Sequence, residues 1–284
     1  MPGLSTATEE YVEVDGTAVR CLITGDGSPL VLLHGGGLDS AMLSWRAVVP
    51  ALTDQFTVYA PDWPGYGASD CPTEPPTTDY YRDVLGELLD ELQLESPALA
   101  GISMGGGVAL SYALDRPDRV SHLVLVDSYG LGGHVPGGYL GYLFTRLPYV
   151  SEFTWAILRR SRWLVAVSLR AIVGDPSAVS EELVDDVVAA IRRPGAGQTF
   201  SAFQRAEVGP RGLQTNYVDR LPDLRVPTLV VHGESDPLVP VEWAVRAGIL
   251  LPDATVRILP DCGHWPPRER PERLVDLIET FINQ

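Results

Sequence analysis

"ALAGISMGGGVAL" (residues 98–110) is the stretch on which the reading of this chain turns. Glycine and apolar residues surround a single hydroxyl, Ser103. It could present a nucleophile on a sharp turn, cradle a phosphate, or join a strand to a helix without any chemistry. Gly101-Ile102-Ser103-Met104-Gly105 satisfies G-x-S-x-G, a weak signal when it stands alone. Context strengthens it. "PALAGI" reads as a buried strand ending at the serine, and "MGGGVALSYAL" continues as a helix. A serine on such an elbow takes a strained backbone conformation, and only small flanking residues let the chains pass. The helix N-terminus then lies beside the hydroxyl, where free N–H groups and the positive dipole end suit a developing oxyanion. A dinucleotide fingerprint needs glycine at position 103, so G-x-G-x-x-G fails. Ser103 reads as the nucleophile.

Composition narrows the chemistry further. All 21 cationic residues are arginine, which excludes a Walker A lysine, a Schiff base and a pyridoxal anchor. A net charge of −16 repels phosphate backbones and anionic headgroups, so neither nucleic acid nor a membrane is expected as partner. Cys21, Cys71 and Cys262 are odd in number and lack CxxC spacing, which argues against a disulfide framework or a zinc site. They fit a reducing cytoplasm. "MPGLSTATEE" has no basic or apolar leader region, and "WLVAVSL" (163–169) is too short to span a bilayer. No metal or cofactor is expected. The partner is a small-molecule substrate, and homo-oligomerisation is left open.

Outward from the elbow, short apolar runs alternate with helical patterns, the mark of βαβ units and a parallel sheet. "YVEV" (11–14) and "AVRCLIT" (18–24) flank Asp15-Gly16 as a hairpin. Strands follow at 30–34, 56–62, 97–103, 120–128, 228–235 and 254–260. Helices are expected at 40–52, 79–93, 104–116, 240–250 and 270–283. Residues 130–225 break the rhythm with aromatic-rich helical segments, including one that Ser180 caps. The expected architecture is an α/β core (1–129 and 226–284) carrying a helical cap (130–225) over the carboxyl ends of the strands.

A serine nucleophile needs a base, and the base needs an orienting acid. His264, in "LPDCGHWPP", sits just after the last strand and can swing over the sheet's end. His122 and His232 lie within strand patterns and read as structural, while His134 opens the cap. Asp236, in "HGESDPLVP", directly follows a strand and is the expected acid. Asp127 is the leading substitute and Glu234 a weaker one. "LLHGGGLDS" (32–40) follows a strand and precedes a helix, so the Gly36 and Met104 N–H groups are the candidate oxyanion hole. "PDWPGYGASD" (61–70) reads as a structural loop beside the site. Gly37, Tyr139, Phe144, Trp155, Trp163 and Trp265 are candidate substrate-binding residues, with ordinary helix packing the plainer account of the aromatics.

With Ser103, Asp236 and His264 in that order, the chain closely resembles the α/β-hydrolase superfamily over nearly its whole length. "HGGG", "DWPGYGASD", "GISMGG", "HGESDPLVP" and "GHW" carry the resemblance. It implies a mostly parallel eight-stranded sheet with helices on both faces, an inserted cap, a Ser-His-Asp triad and no cofactor. "HGGG", "CGHW" and "DPSAVSEEL" are similar to segments of the meta-cleavage-product hydrolases, which cut a carbon–carbon bond in vinylogous diketones. Two positions depart from that group: Ile102 stands where it usually has asparagine, and Val187 where it has a cap arginine. Epoxide hydrolases and haloalkane dehalogenases carry aspartate as nucleophile, against Ser103. Haloperoxidase-like relatives usually lack so long a cap. The expectation is therefore a serine esterase-like hydrolase of a small, largely apolar ester or acyl compound. C–C hydrolysis is the alternative, and a ligand sensor that keeps the triad but turns over little is a third reading.

Overall fold

The computed structural model describes residues 7–72, 74–134, 138–147, 149–193 and 195–284. The chain opens with the hairpin β1 (Thr8–Val14) and β2 (Thr17–Thr24). Asp15 and Gly16 both take positive φ, 44° and 73°, as a two-residue turn matching the strand twist demands. There follow β3 (Ser28–Leu33), α1 (Ala41–Trp45), α2 (Val49–Leu52), β4 (Phe56–Pro61) and α3 (Thr78–Glu91). Next come β5 (Ala98–Ile102), α4 (Met104–Asp115) and β6 (Leu123–Val126). The helix expected at 40–52 is two short helices. Pro50, which has no N–H and fits a first helical turn, starts the second.

After β6 comes a helical insertion: α5 (Gly138–Arg146), α6 (Val150–Leu158), α7 (Arg162–Arg170), α8 (Glu181–Ile191) and α9 (Gln198–Glu207). A small ribbon closes it, β7 (Val208–Gly209) with β8 (Gly212–Leu213). Ser180 caps α8 by accepting the Leu183 N–H, and Glu181 and Glu182 sit favourably at the positive end of its dipole. The core resumes with β9 (Thr228–Gly233), α10 (Val241–Leu250), β10 (Ala254–Leu259), α11 (Pro266–Glu269) and α12 (Pro271–Ile282).

The main sheet has eight strands in the order β1-β2-β4-β3-β5-β6-β9-β10. The β1–β2 and β2–β4 pairs are antiparallel and all the others parallel. Strand periodicity divides the core in two. Leu30 and Leu32 join one layer with Trp45, Leu52 and Ile278, covered by α1, α2 and α12. Val31 and Leu33 face the other way, onto Leu85, Val108 and Ala244 of α3, α4 and α10. Both faces are covered, which is why these strands read as continuous apolar runs.

The order reverses at β3, with β4 on one side and β5 on the other, and such switch points open a crevice at the strands' carboxyl ends. The insertion packs into the same core there. Val165, Leu169, Leu183 and Val187 belong to the first layer, and Phe203 to the second. Among the described residues no helix is long and apolar enough to cross a membrane.

Candidate active site

Ser103 sits between β5 and α4 with φ 52° and ψ −117°, a conformation that costs a non-glycine residue of order 1–3 kcal/mol. Backbone bonds hold it there. Its N–H donates to Val126 O (3.0 Å), and its carbonyl accepts from Gly107 N (3.1 Å) and Tyr129 N (3.1 Å). The flanking glycines are a matter of space. A Cβ on Gly101 would lie 2.4 Å from Gly105 O, and one on Gly105 would lie 2.5 Å from both Leu33 O and His34 O. The Ser103 side chain caps nothing, so its hydroxyl is not consumed by the helix it begins.

Asp236 lies in the loop after β9. Its Oδ1 accepts the Leu238 and Val239 N–H groups at 2.7 and 3.0 Å, which orients the carboxylate. The other oxygen, Oδ2, stands 2.7 Å from His264 Nδ1. A carboxylate only accepts, so Nδ1 carries the proton and Nε2 is left with a lone pair. His264 is mostly buried in the loop after β10, its backbone N–H donating to Ile172 O (2.7 Å) on the insertion. Glu269, a residue with no sequence signal for such a part, organises this loop. It accepts from Gly174 N (2.7 Å), Gly263 N (3.0 Å) and Trp265 N (3.1 Å), tying the histidine loop to the insertion.

The glycine turn after β3 is held from below. His34 Nε2 accepts from Trp63 N (3.0 Å), while Trp63 Nε1 donates to His34 O (3.0 Å). Asp39 accepts from Gly35 N (2.8 Å) and from the Ser44 hydroxyl (2.5 Å), and Ser44 Oγ accepts from Trp265 Nε1 (3.0 Å). The Gly35 amide is thereby spent. Burial pushes the Asp39 carboxyl up, against the lowering effect of His34 and these donors. Gly36 is crowded: a Cβ there would lie 2.7 Å from Phe200 Cε2.

Ser103, His264, Gly36, Met104 and Gly37 all border one cavity of about 470 Å³, within the usual size range of small-ligand sites. Its wall is largely apolar, with Ile102, Trp155, Val187, Phe200, Phe203 and Trp243 among the residues lining it. Among the described residues, neither arginine nor lysine belongs to that lining; its ionisable members are Tyr129, Asp39, Glu207, His134 and His264. Glu207 is buried and satisfied by Tyr129 Oη (2.9 Å), Thr78 N (2.9 Å) and Thr215 N (3.1 Å).

Of the aromatic candidates, Trp155 and Trp265 line the cavity. Tyr139, Phe144 and Trp163 do not: all three are exposed on the outer side of the insertion. Their helices are apolar on both faces, so apolar character could not tell inside from outside. Phe200, Phe203 and Trp243 take the inward places instead.

Behind the site, His232 is fully buried between two carboxyl groups. Its Nε2 is 3.0 Å from Val239 O and 3.5 Å from Asp236 Oδ2. Asp127, the substitute acid, accepts from Gly233 N (2.8 Å) and makes no contact with His264 at hydrogen-bond range. His122 packs edge-on against Phe281.

A family profile described as the alpha/beta hydrolase fold matches residues 28–271. The chain belongs to that family. It is a hydrolase. It is 31% identical over 271 residues to a 2-hydroxymuconate semialdehyde hydrolase of a Pseudomonas species, covering 91% of this chain and 88% of that one. A meta-cleavage product hydrolase from Pseudomonas fluorescens superposes with a TM-score of 0.82 at 28% identity, covering 96% of this chain and 97% of that one. Naproxen esterase from Bacillus subtilis, at 20% identity and a TM-score of 0.77 over 98% and 92% of the two chains, shares the fold.

Proposed function

We propose that this hydrolase cleaves a neutral, largely apolar ester or related acyl compound through a serine acyl-enzyme. One observation carries the proposal: Ser103 and His264 border a cavity that is otherwise mostly apolar and, among the described residues, has no arginine or lysine in its lining. His264 Nε2 takes the Ser103 Oγ proton while Oγ attacks the substrate's carbonyl carbon. Asp236 holds the resulting imidazolium through the 2.7 Å bond to Nδ1. The Gly36 and Met104 N–H groups receive the oxyanion, whose collapse breaks the C–O bond. His264 returns the proton to the departing alcohol oxygen. A water deprotonated by His264 then attacks the acyl carbon and frees Ser103. Residues 130–225 act as the cap that screens this chemistry from bulk water. The free cysteines fit residence in the reducing cytoplasm.

Cleavage of a C–C bond in a ring-fission diketone is the second reading, favoured by the likeness to the 2-hydroxymuconate semialdehyde hydrolase. Against it, the two positions at which that group usually carries polar side chains are Ile102 and Val187, both in the cavity wall. A substrate carboxylate buried there would meet no arginine or lysine among the described lining residues, and leaving it unpaired costs several kcal/mol.

A panel of chromogenic esters of graded acyl length, run beside a ring-fission product, separates the two. Ester turnover that Ser103→Ala abolishes, with a fluorophosphonate labelling Ser103, is the expected result. Turnover of the ring-fission product alone overturns the ester reading. Failure of the fluorophosphonate to label Ser103 removes the triad.

A further inference from the structure

The outer face of the insertion carries apolar stripes that, among the described residues, stay exposed. On α5, Leu140 and Phe144 recur at helical spacing, and Leu147 continues the line. Tyr149, Phe153 and Ile157 do the same along α6, four residues apart. Trp163 and Val167 extend the pattern on α7. Trp163 is 69% exposed and Tyr149 78%. Among the described residues, ten of the fourteen exposed large apolar side chains fall between 139 and 167, so the exposed apolar surface is concentrated on this one insertion. The opposite faces of α6 and α7 point inward, where Trp155, Leu158, Val165 and Leu169 line the cavity.

Charge says what the patch fits. Residues 138–170 hold five arginines and one acid, Glu152, in a chain whose net charge is −16. Arg162 is paired with Glu181 (2.6 Å) and Asp185 (2.9 Å). Arg146, Arg160 and Arg170 are exposed and, among the described residues, form no salt bridge. Arg146 lies over the Tyr142 ring, 5.2 Å from its centroid. Exposed aromatic and aliphatic side chains interleaved with unneutralised guanidinium groups match the boundary between anionic headgroups and acyl chains. A second copy meeting this face about a two-fold axis would set arginine against arginine. Charge at the contact, within a Debye length of about 8 Å, decides binding, so the acidic remainder of the molecule does not forbid it.

We propose that α5, α6 and α7 dock this protein on an anionic lipid surface. Their apolar stripes enter the headgroup boundary, and Arg146, Arg160 and Arg170 contact phosphates. The cavity lies behind α6 and α7, whose inner faces line it. Docking is read without turnover, so it stands or falls separately from the ester reading.

The test is co-flotation of the full chain with vesicles of phosphatidylcholine mixed with phosphatidylglycerol, and with phosphatidylcholine alone. The expected result is binding to the mixed vesicles, weakened by salt and much reduced on the neutral ones. Leu140→Ser with Phe153→Ser should weaken partitioning about a hundredfold, and Arg146→Glu with Arg160→Glu and Arg170→Glu by a similar factor. Both sets lie on the surface, and unchanged melting temperatures confirm that the fold survives. Should either set unfold, the salt dependence of the unmodified chain makes the same discrimination. Failure of the unmodified chain to float with mixed vesicles overturns the proposal. So does a dimer in sedimentation equilibrium that Leu140→Ser with Phe153→Ser dissociates, which would assign the face to a second copy.

Discussion

Asp127 Oδ1 stands 3.6 Å from His232 Nδ1, and no hydrogen bond closes the gap. Asp127 Oδ2 and His232 Nδ1 are both buried without a partner. The His232 Nε2 proton points at Val239 O, so Nδ1 offers a lone pair that an ionised Asp127 would only repel. Burial, and then the charge of Asp236, push the Asp127 carboxyl well above the usual carboxylate range. Burial also lowers His232. Burial thus drives this pair toward a protonated carboxyl beside an uncharged imidazole.

Asp127→Asn should therefore be mild at pH 7, within about 1 kcal/mol and about threefold in turnover. An ionised partner of His232 would cost several times that when removed. Linkage gives a sharper signature. With its pKa raised, Asp127 binds a proton in the folded state that the unfolded chain releases above about pH 4. Its contribution thus declines as pH rises from about 4 toward the folded value. Lowered His232 works in the opposite sense, losing stability as pH falls below about 6.5, where the unfolded chain takes up a proton. The two slopes, each about 1.4 kcal/mol per pH unit, offset one another between about pH 4 and 6.5. Thermal unfolding across pH should show Asp127→Asn losing stability on acidification more steeply than the parent. Parallel curves would refute the neutral pair.

The elbow at Ser103 separates strain from chemistry. Ser103→Ala and Ser103→Gly should both lower ester turnover by about 10⁴-fold or more, since each removes the nucleophile. Glycine alone tolerates φ 52° with ψ −117° freely, so Ser103→Gly should be the more stable of the two by about 1 kcal/mol. Denaturant midpoints measure the difference. Equal stabilities would mean that the backbone stores no strain there.

Glu269 accepts from four backbone N–H groups, those of Gly174, Asp175, Trp265 and Gly263, the last immediately before His264. Glu269→Ala leaves those donors buried and unpaired, which should cost about 3 kcal/mol or more and lower kcat by misplacing His264. Glu269→Gln, which keeps an acceptor oxygen, should recover part of both. If kcat and melting temperature in Glu269→Ala matched the parent, the loop would owe its position to something else.

Gly36→Ala drives a methyl group against Phe200, so the turn must shift and the amide above it with it. Turnover of the best ester should fall about tenfold or more, and a second change, Phe200→Leu, should restore much of it by opening space. Steady-state kinetics on the single and double variants checks this. No rescue by Phe200→Leu would show that the loss does not come from that contact.

Much of this was legible along the chain because strand ends are local features. Ser103, Asp236 and His264 each follow an apolar run, Ser103 opening a glycine-rich helix and the other two leading into prolines, so spacing alone placed them at the same edge of a sheet. The hairpin turn at Asp15-Gly16 and the cap at Ser180 were equally local. The cavity wall was not. Tyr139, Phe144 and Trp163 looked suited to it and face solvent, whereas Phe200, Phe203 and Trp243 fill it. A helix with apolar residues on both sides has no single inward direction written in its periodicity.

The roles of the buried acids divide along the same line. A glycine pair that lets strand and helix pass, a serine between them, and an acid and a histidine after later strands are constraints that neighbouring residues impose on one another. Which carboxyl meets His264, which is buried behind His232 and which gathers the amides of its loop depend on approaches between residues far apart in sequence. Asp127, Asp236 and Glu269 are chemically alike along the chain. They differ because burial and the donors that reach each one differ, and packing sets both.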